Sequence, residues 1–305
     1  MQKAWTHNPK NPIFRTLIAL GLIFRSLKGF VFFVFLLSFV VFLNTLQMFS
    51  LVFWPFSQKI FRRINRFLAD TWWRSCVFCL HTLNGVGLKL TGDPIPAQEN
   101  ALVLANHQGF ADIYAIGLLA SEKKRLGDLK WFAKKNIKYF PGLGWGMLFL
   151  DCLFLQRNWT ADRTSILETF SKYRQEKISF WLISFVEGTR FTPAKWKRNW
   201  HQAKKKNLPL LRHLLLPKTR GFVATIEGLS EEMDAVYDLT IGFPKKLTSI
   251  WDILQGKAPP IHLHVRRYPV ETLPQESKEL VSWLLKRFSE KDALLEDYKK
   301  RGHFL

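Results

Sequence analysis

The sequence predicts an α/β domain that follows a membrane-seeking helical segment. Two short apolar runs, at residues 101–105 and 178–186, have the uninterrupted hydrophobicity of strands buried on both faces of a sheet. The first run is followed by a loop and then by an apolar helical pattern at 111–120, which is the strand-then-helix order of α/β proteins. Residues 30–54 contain no charged side chain and predict a helix suited to lipid.

The uncharged stretch reads FVFFVFLLSFVVFLNTLQMFSLVFW, and Pro55 ends it. A helix of 25 residues is about 37 Å long, against roughly 30 Å of bilayer hydrocarbon. Basic residues stand on both flanks and no acidic residue precedes Asp70, so charge gives the helix no orientation. A full span and a hairpin or shallow insertion therefore both stay open. A cleavable signal peptide is not expected, because no small-x-small site follows the run.

Residues 58–83 predict a second helix. Its apolar positions fall at helical spacing opposite Arg62, Arg63 and Arg66, a pattern typical of helices that lie in a membrane interface. A core-packing helix with a solvated basic face is the alternative. A strand is expected next, at residues 86–91, so the sequence divides into a membrane anchor with interfacial helices (1–83) and a globular domain (84–305).

His107 and Asp112 follow the first apolar run within ALVLANHQGFADIY. Gly109 lets the loop turn, and Asp112 falls in the first turn of the predicted helix, from which its carboxylate can fold back onto the imidazole. Such a pair suits general-base catalysis, since the carboxylate fixes the tautomer and stabilises the imidazolium. The alternative is that Asp112 only caps the helix and His107 bonds locally.

The second apolar run, at 178–186, ends in Glu187-Gly188-Thr189-Arg190. A glycine after a strand permits close approach of backbone to a ligand, and arginine offers a planar fork matched to phosphate or carboxylate oxygens. Alone, this tetrapeptide is a turn with a charge pair.

Together the two motifs closely resemble those of the glycerolipid acyltransferases, the lysophosphatidic acid acyltransferase family. That family carries N-H-x4-D, then a block ending in arginine, then F-x-E-G-T-R, and here these correspond to the His107 motif, CLFLQR ending at Arg157, and FVEGTR. The stretch 131–147, which contains Lys134, and LLLPKTRGF (214–222) resemble further parts of the longer, eukaryotic-like subgroup. The fourth family block falls either at Pro217 or at AVYDLTIGFP (235–244).

The resemblance implies a mixed central sheet flanked by helices, together with a site. It implies that His107 removes a proton from the free hydroxyl of a lysophospholipid, most commonly lysophosphatidic acid, as that oxygen attacks an acyl thioester. The donor is acyl-CoA or acyl carrier protein, with no metal and no cofactor. Asp112 orients His107. The substrate-binding residues implied are Lys134, Arg157, Glu187, Gly188, Thr189 and Arg190.

Composition agrees with a membrane enzyme. The net charge of +21 suits an anionic surface, and the uncharged N-terminal stretch favours membrane over nucleic acid. Residues 194–220 are rich in lysine, arginine and tryptophan, which indicates either a membrane-docking face or a solvated loop. The three cysteines make no disulfide framework, and His262 and His264, without a third ligand nearby, are taken as surface residues. We expect a membrane location with the catalytic domain at the cytoplasmic face, which is the inner membrane in a bacterium.

Rival classes remain at this point. A lipid hydrolase would use the same pair to activate water, and an acyltransferase for another lysophospholipid would differ only in its headgroup pocket. A non-catalytic membrane regulator would not need His107, Asp112, Glu187 and Arg190 together. No serine or cysteine in the motifs stands as a nucleophile beside His107, so direct transfer is expected over an acyl-enzyme.

Overall fold

The computed structural model describes residues 12–156, 158–244 and 249–305. The strands are β1 (Leu88–Gly92), β2 (Ala101–Ala105), β3 (Leu129–Lys134), β4 (Leu153–Leu155), β5 (Trp181–Ser184), β6 (Ala235–Gly242) and β7 (Ile261–Pro269). The helices are α1 (Pro12–Ser50), α2 (Gln58–Val77), α3 (Phe110–Glu122), α4 (Leu143–Phe149), α5 (Trp159–Gln175), α6 (Pro193–Lys205), α7 (Thr219–Leu229), α8 (Ile250–Leu254) and α9 (Ser277–Arg301).

The described strands form one mixed sheet in the order β1-β7-β6-β2-β5-β3-β4. Only the β6–β7 pair is antiparallel among them. The apolar run at 101–105 is the central strand β2, which is buried along its whole length between β6 and β5. Because β2 and β5 are parallel and adjacent, the loops that follow them meet at the same edge of the sheet. The predicted mixed sheet flanked by helices is confirmed.

Helices cover both faces of the sheet. Alternate residues of β2 point to opposite sides, so Val103 joins one hydrophobic core and Leu104 joins the other. The Val103 side is packed by α3, by buried positions of α2 and by α8. The Leu104 side is packed by α5, α7 and α9. Two cores on one sheet produce the layered arrangement that the strand and helix patterns predict.

Helix α1 lies along the domain rather than standing away from it. Its buried positions include Gly29, Val40, Leu43 and Gln47, one stripe at helical spacing. At Gly29 an added Cβ would be 3.0 Å from the Gln255 side chain, which shows how closely α1 and α8 approach. The opposite face of α1 is apolar and exposed, as at Phe30 (56%), Phe33 (45%), Phe42 (56%) and Phe49 (67%). Within the described residues, Arg15–Phe53 is the one helical stretch whose length and composition suit a membrane span.

The predicted second helix is α2, which ends at Val77 and continues as one wide π turn to Thr82. It packs on the domain through Phe61 and Leu68, as in the core-packing alternative. Two of its three predicted interfacial arginines turn to the domain: Arg66 pairs with Asp128 at 2.5 Å, and Arg62 pairs with Asp151 and Glu176. The division of the chain at residue 83 stays a prediction.

Two local expectations need correction. The strand expected at 178–186 is shorter, because residues 185–188 already turn, with Gly188 N–H donating to the Phe185 carbonyl at 2.8 Å. His262 was expected at the surface, but it is only 5% exposed and packs edge-on against Tyr298 of α9. The last helix covers this side of β7, so both faces of the strand are enclosed there.

Candidate active site

His107 and Asp112 are in direct contact. The Nδ1 atom of His107 lies 2.9 Å from Oδ2 of Asp112, which is fully buried at the start of α3. The same oxygen accepts the backbone N–H groups of Gln108 (2.6 Å) and Gly109 (2.8 Å). Asp112 therefore does both things considered for it, since it caps the helix and orients the imidazole. Burial raises the pKa of Asp112, while the hydrogen bonds from His107 and the backbone oppose that rise.

The other imidazole nitrogen, Nε2, is not used by the contacts that hold the ring. An Asp112 oxygen that already accepts two N–H groups favours a third donor, so Nδ1 carries the proton and Nε2 offers a lone pair. Within the described residues no hydrogen bond reaches Nε2, and the side chain is 17% exposed. The ring stacks on Phe185, with centroids 4.0 Å apart. The arrangement is that of a general base whose orientation is fixed from behind.

Glu187 supports the catalytic loop from inside the protein. One carboxylate oxygen accepts the backbone N–H of His107 at 2.9 Å, and the other accepts that of Leu215 at 3.0 Å. The residue is 3% exposed and does not line the cavity beside His107. Burial raises the pKa of Glu187 to about 8, against the opposing hydrogen bonds from Leu215 and His107. The structure thus places this predicted substrate ligand behind the site, where it joins two loops.

Two more contacts fix the loop that carries His107. The side-chain amide of Asn106 both donates to the Ile241 carbonyl (3.0 Å) and accepts from the Ile241 N–H (2.8 Å), so it continues the pairing of β2 with β6 beyond Ala105. The N–H of Phe191 donates to the His107 carbonyl at 2.7 Å. The asparagine of N-H-x4-D is therefore structural, and β6 takes part in holding the motif.

A cavity of about 1130 Å³ opens in front of His107. One part is apolar and is built from helices α1, α2 and α4. Its lining includes Val40, Leu43, Leu68, Trp72, Trp73, Leu143, Met147 and Leu150. Such a volume and lining fit the hydrocarbon chain of a lipid.

The other part of the cavity is basic. Its lining includes Lys134, Arg190, Lys195, Lys218 and Arg220. Within the described residues none of these five groups forms an ion pair. Unpaired cations around one cavity fit an anionic group of a ligand.

The structure brings most of the predicted site residues together. Gly188, Thr189, Arg190 and Lys134 all line the cavity with His107. Arg157 lies outside the described residues. Asp162, which follows in the chain at the start of α5, lines the cavity and accepts the N–H of Gln156 at 2.7 Å.

Sequence reasoning missed the role of Lys195. Lys195 Nζ donates to Thr189 Oγ1 at 2.7 Å and to the Arg190 carbonyl at 3.2 Å, so it braces the Glu187–Arg190 loop. The basic run at 194–220 was considered only as a membrane face or a solvated loop. The spacing between Thr189 and Lys195 carried no signal, because the contact depends on the start of α6.

The two positions considered for the fourth family block, Pro217 and residues 235–244, lie in different parts of the structure. Pro217 and the residues after it, up to Phe222, line the cavity. Residues 235–242 instead form β6, an interior strand that contacts the site only through its bonds with Asn106. The far wall of the cavity is therefore the segment that begins at Pro217.

Comparisons with known proteins show the family of this chain. The sequence model of the Acyltransferase family matches residues 87–229, and that of the Acyltransferase C-terminus matches residues 252–305. The human 1-acyl-sn-glycerol-3-phosphate acyltransferase gamma is 35% identical over 277 residues, which is 89% of this chain and 73% of the human protein. The probable 1-acyl-sn-glycerol-3-phosphate acyltransferase 5 of Arabidopsis thaliana is 31% identical over 264 residues, 83% of this chain and 70% of that protein.

The fold also has a solved counterpart. The crystal structure of the 1-acyl-sn-glycerophosphate (LPA) acyltransferase from Thermotoga maritima superimposes with a TM-score of 0.57 at 18% identity, covering 90% of this chain and 98% of that one. At that identity the match establishes the architecture. The curated relatives, which are more than 30% identical over most of both chains, establish the family. This chain belongs to the 1-acyl-sn-glycerol-3-phosphate acyltransferase family of O-acyltransferases.

Proposed function

We propose that the protein transfers a fatty acyl group from an acyl thioester to the free hydroxyl of 1-acyl-sn-glycerol-3-phosphate, giving phosphatidic acid. The observation that carries the proposal is the position of His107. Its Nε2 faces a cavity that is apolar on one side and basic on the other, and Asp112 holds the ring from behind. A lysolipid with an anionic phosphate has the same two-part character.

The reaction begins with proton removal. His107 Nε2 takes the proton of the acceptor hydroxyl as the oxygen attacks the thioester carbonyl, and the buried Asp112 carboxylate stabilises the imidazolium. The tetrahedral intermediate then collapses, the carbon–sulfur bond breaks, and the imidazolium returns its proton to the leaving thiolate. The products are a new ester and a free thiol, and His107 is neutral again.

The acyl group passes directly from the thioester to the acceptor in this proposal, without an acyl-enzyme intermediate. Within the described residues no serine, threonine or cysteine side chain hydrogen-bonds His107. The three cysteines are buried free thiols. Burial raises the pKa of Cys152 to about 11, which keeps that thiol protonated and a weak nucleophile. The hydroxyl of the acceptor is thus the group that His107 serves.

The acyl chain of the acceptor matches the apolar part of the cavity, and its phosphate matches the basic part. Arg190 and Lys134 bind the phosphate in this proposal. Arg157, which is not among the described residues, is proposed to bind it too. Gly188 and Thr189 belong to the same loop, and Glu187 acts by positioning it. The donor is acyl-CoA or acyl carrier protein, and its acyl chain shares the apolar part of the cavity.

Helix α1 is the element that we propose binds the membrane. A helix with its buried stripe on the domain and its apolar face exposed is suited to lie in one side of the bilayer, as in a shallow insertion. The apolar part of the cavity is built partly from this helix, so acceptors can reach His107 without leaving lipid. The catalytic domain then sits at the surface, and we propose the cytoplasmic face.

The test is an acyl-transfer assay on the purified full-length protein in vesicles. Labelled acyl-CoA or acyl carrier protein is offered with lysophosphatidic acid, with other lysophospholipids, or without an acceptor. We expect phosphatidic acid from wild type and a loss of about 10²–10⁴-fold in His107→Ala. Release of fatty acid at the same rate with and without acceptor would identify a hydrolase instead.

A further inference from the structure

We infer that Lys218 is a further phosphate ligand for the acceptor, in addition to Arg190 and Lys134, and that it acts together with Arg190 across Gly188. This inference rests on the proposed function. Lys218 belongs to the far wall of the cavity, the segment that begins at Pro217, and its side chain is exposed to that cavity. Its ammonium group forms no ion pair within the described residues.

The position of Lys218 is fixed by its backbone and by a glycine. Its N–H donates to the Val186 carbonyl at 2.7 Å, which ties the far wall to the loop after β5. Its side chain then crosses Gly188. A Cβ added at Gly188 would be 2.8 Å from Cε, 2.9 Å from Cδ and 3.0 Å from Nζ of Lys218. Gly188 also has φ +70, a backbone conformation that favours glycine.

The crossing at Gly188 brings the Lys218 side chain to the loop that carries Arg190. Arg190 stands two residues after Gly188 on the same loop, and Lys195 holds that loop through Thr189 and the Arg190 carbonyl. Glu187, on the other side of Gly188, bonds the backbone of His107. Lys218 and Arg190 are therefore attached to the same short loop that supports the catalytic base.

Closeness to the base decides which phosphate these cations serve. In a 1-acyl-glycerol-3-phosphate only two carbons and one oxygen separate the reacting hydroxyl from phosphorus, roughly 4–5 Å. The phosphates of a CoA donor are much farther from the thioester, because the whole pantetheine arm lies between. Arg190 and Lys218 line the same cavity as His107, so they are placed to bind the acceptor's phosphate rather than those of CoA. One planar fork and one point charge can share its oxygens.

The decisive variant is Lys218→Met, which keeps the apolar stem over Gly188 and removes the charge. Kinetics are measured in vesicles with lysophosphatidic acid and with monoacylglycerol, an acceptor that lacks phosphate. We expect the KM for lysophosphatidic acid to rise about 10- to 100-fold, the loss of one charge-assisted bond. The KM for the acyl donor and the slow rate on monoacylglycerol should not change. Lys205→Met, on the exposed face of α6 outside the cavity, is the matched control.

A second variant tests the crossing itself. Gly188→Ala should also raise the KM for lysophosphatidic acid, because the new methyl group displaces the Lys218 side chain. In the Lys218→Met background, Gly188→Ala should cost less in KM than it does alone, since the ammonium group is already gone.

The inference is overturned if Lys218→Met leaves the KM for lysophosphatidic acid within twofold of wild type. A rise in the donor KM, or an equal loss on monoacylglycerol, would overturn it too, since Lys218 would then serve the donor or the fold. The proposed function fails separately, and only if wild type makes no phosphatidic acid.

Discussion

Replacing Glu187 by glutamine should lower kcat above about pH 8, where the carboxylate is ionised, although no group that faces substrate is changed. Each carboxylate oxygen accepts one buried backbone N–H, from His107 at 2.9 Å and from Leu215 at 3.0 Å. An amide has one acceptor oxygen, so one N–H would face an NH₂ group. Leaving a buried N–H without an acceptor costs about 1–3 kcal/mol. If the His107 loop moves by about 1 Å to relieve it, kcat should fall on the order of 10²-fold.

Asp292 supplies a matched control. Its carboxylate also accepts two backbone N–H groups, from Arg212 at 2.8 Å and His213 at 2.7 Å, but it has no contact with His107. Asp292→Asn should therefore cost a similar free energy of unfolding in urea and leave kcat near wild type. Glu187→Gln should lower both quantities. Wild-type kcat in Glu187→Gln, or an equal fall of kcat in Asp292→Asn, would refute the positioning role.

The same variant has a pH signature. Burial raises the pKa of Glu187 from an ordinary 4.5 to about 8, so between these values the folded protein holds a proton that the unfolded chain has released. The free energy of unfolding should therefore fall as pH rises through this window, by at most about 1.4 kcal/mol per pH unit from this group. Activity should move oppositely, because the ionised carboxylate accepts both N–H groups. Glu187→Gln should lack both contributions, and identical pH profiles in the two proteins would contradict this account.

Three further outcomes are expected. Asp112→Asn should lower kcat by about 10²–10⁴-fold with little change in either KM, because His107 loses its orienting anion; steady-state kinetics decide, and a selective rise in KM would speak against orientation. Lys291→Met should lower the free energy of unfolding by about 3–5 kcal/mol in urea, since it strands the buried Asp238 carboxylate 2.6 Å away, and adding Asp238→Asn should restore part of the loss. Serine at phenylalanines on the exposed α1 face, within residues 30–42, should release the folded protein from vesicles in flotation assays; unchanged flotation would show that another surface attaches it.

Much of this architecture was readable from local patterns. The uninterrupted apolar run at 101–105 predicted a strand buried on both faces, and β2 is that strand. The pairing of His107 with Asp112 followed from a loop of fixed length between a strand and a helix, so the contact needed no knowledge of distant residues.

What could not be predicted depends on long-range contacts. The role proposed for Lys218 depends on its crossing over Gly188, 30 residues earlier in the chain, and no spacing encodes that contact. The carboxylate of Glu187 was expected to bind substrate because the resemblance to the acyltransferase family assigns its motif to the acceptor's phosphate. In the structure both of its oxygens instead accept backbone N–H groups. The arginines of α2 looked free for lipid because Asp128 and Asp151, their partners, lie far away in sequence.

The order in which the chain is synthesised delays the support of the catalytic loop. That support depends on the bonds between Asn106 and Ile241 and on the buried pair of Lys291 with Asp238. Both sequence motifs have been synthesised by residue 190, but β6, which braces the His107 loop, is itself stabilised by a charge on α9. At about 5–20 residues per second, roughly 5–20 s of synthesis separate residue 190 from residue 291. During that interval the strand β2, apolar along its whole length, has no finished sheet to enter. Helix α1 emerges long before, so it can bring the growing chain to lipid while the catalytic loop still lacks its support.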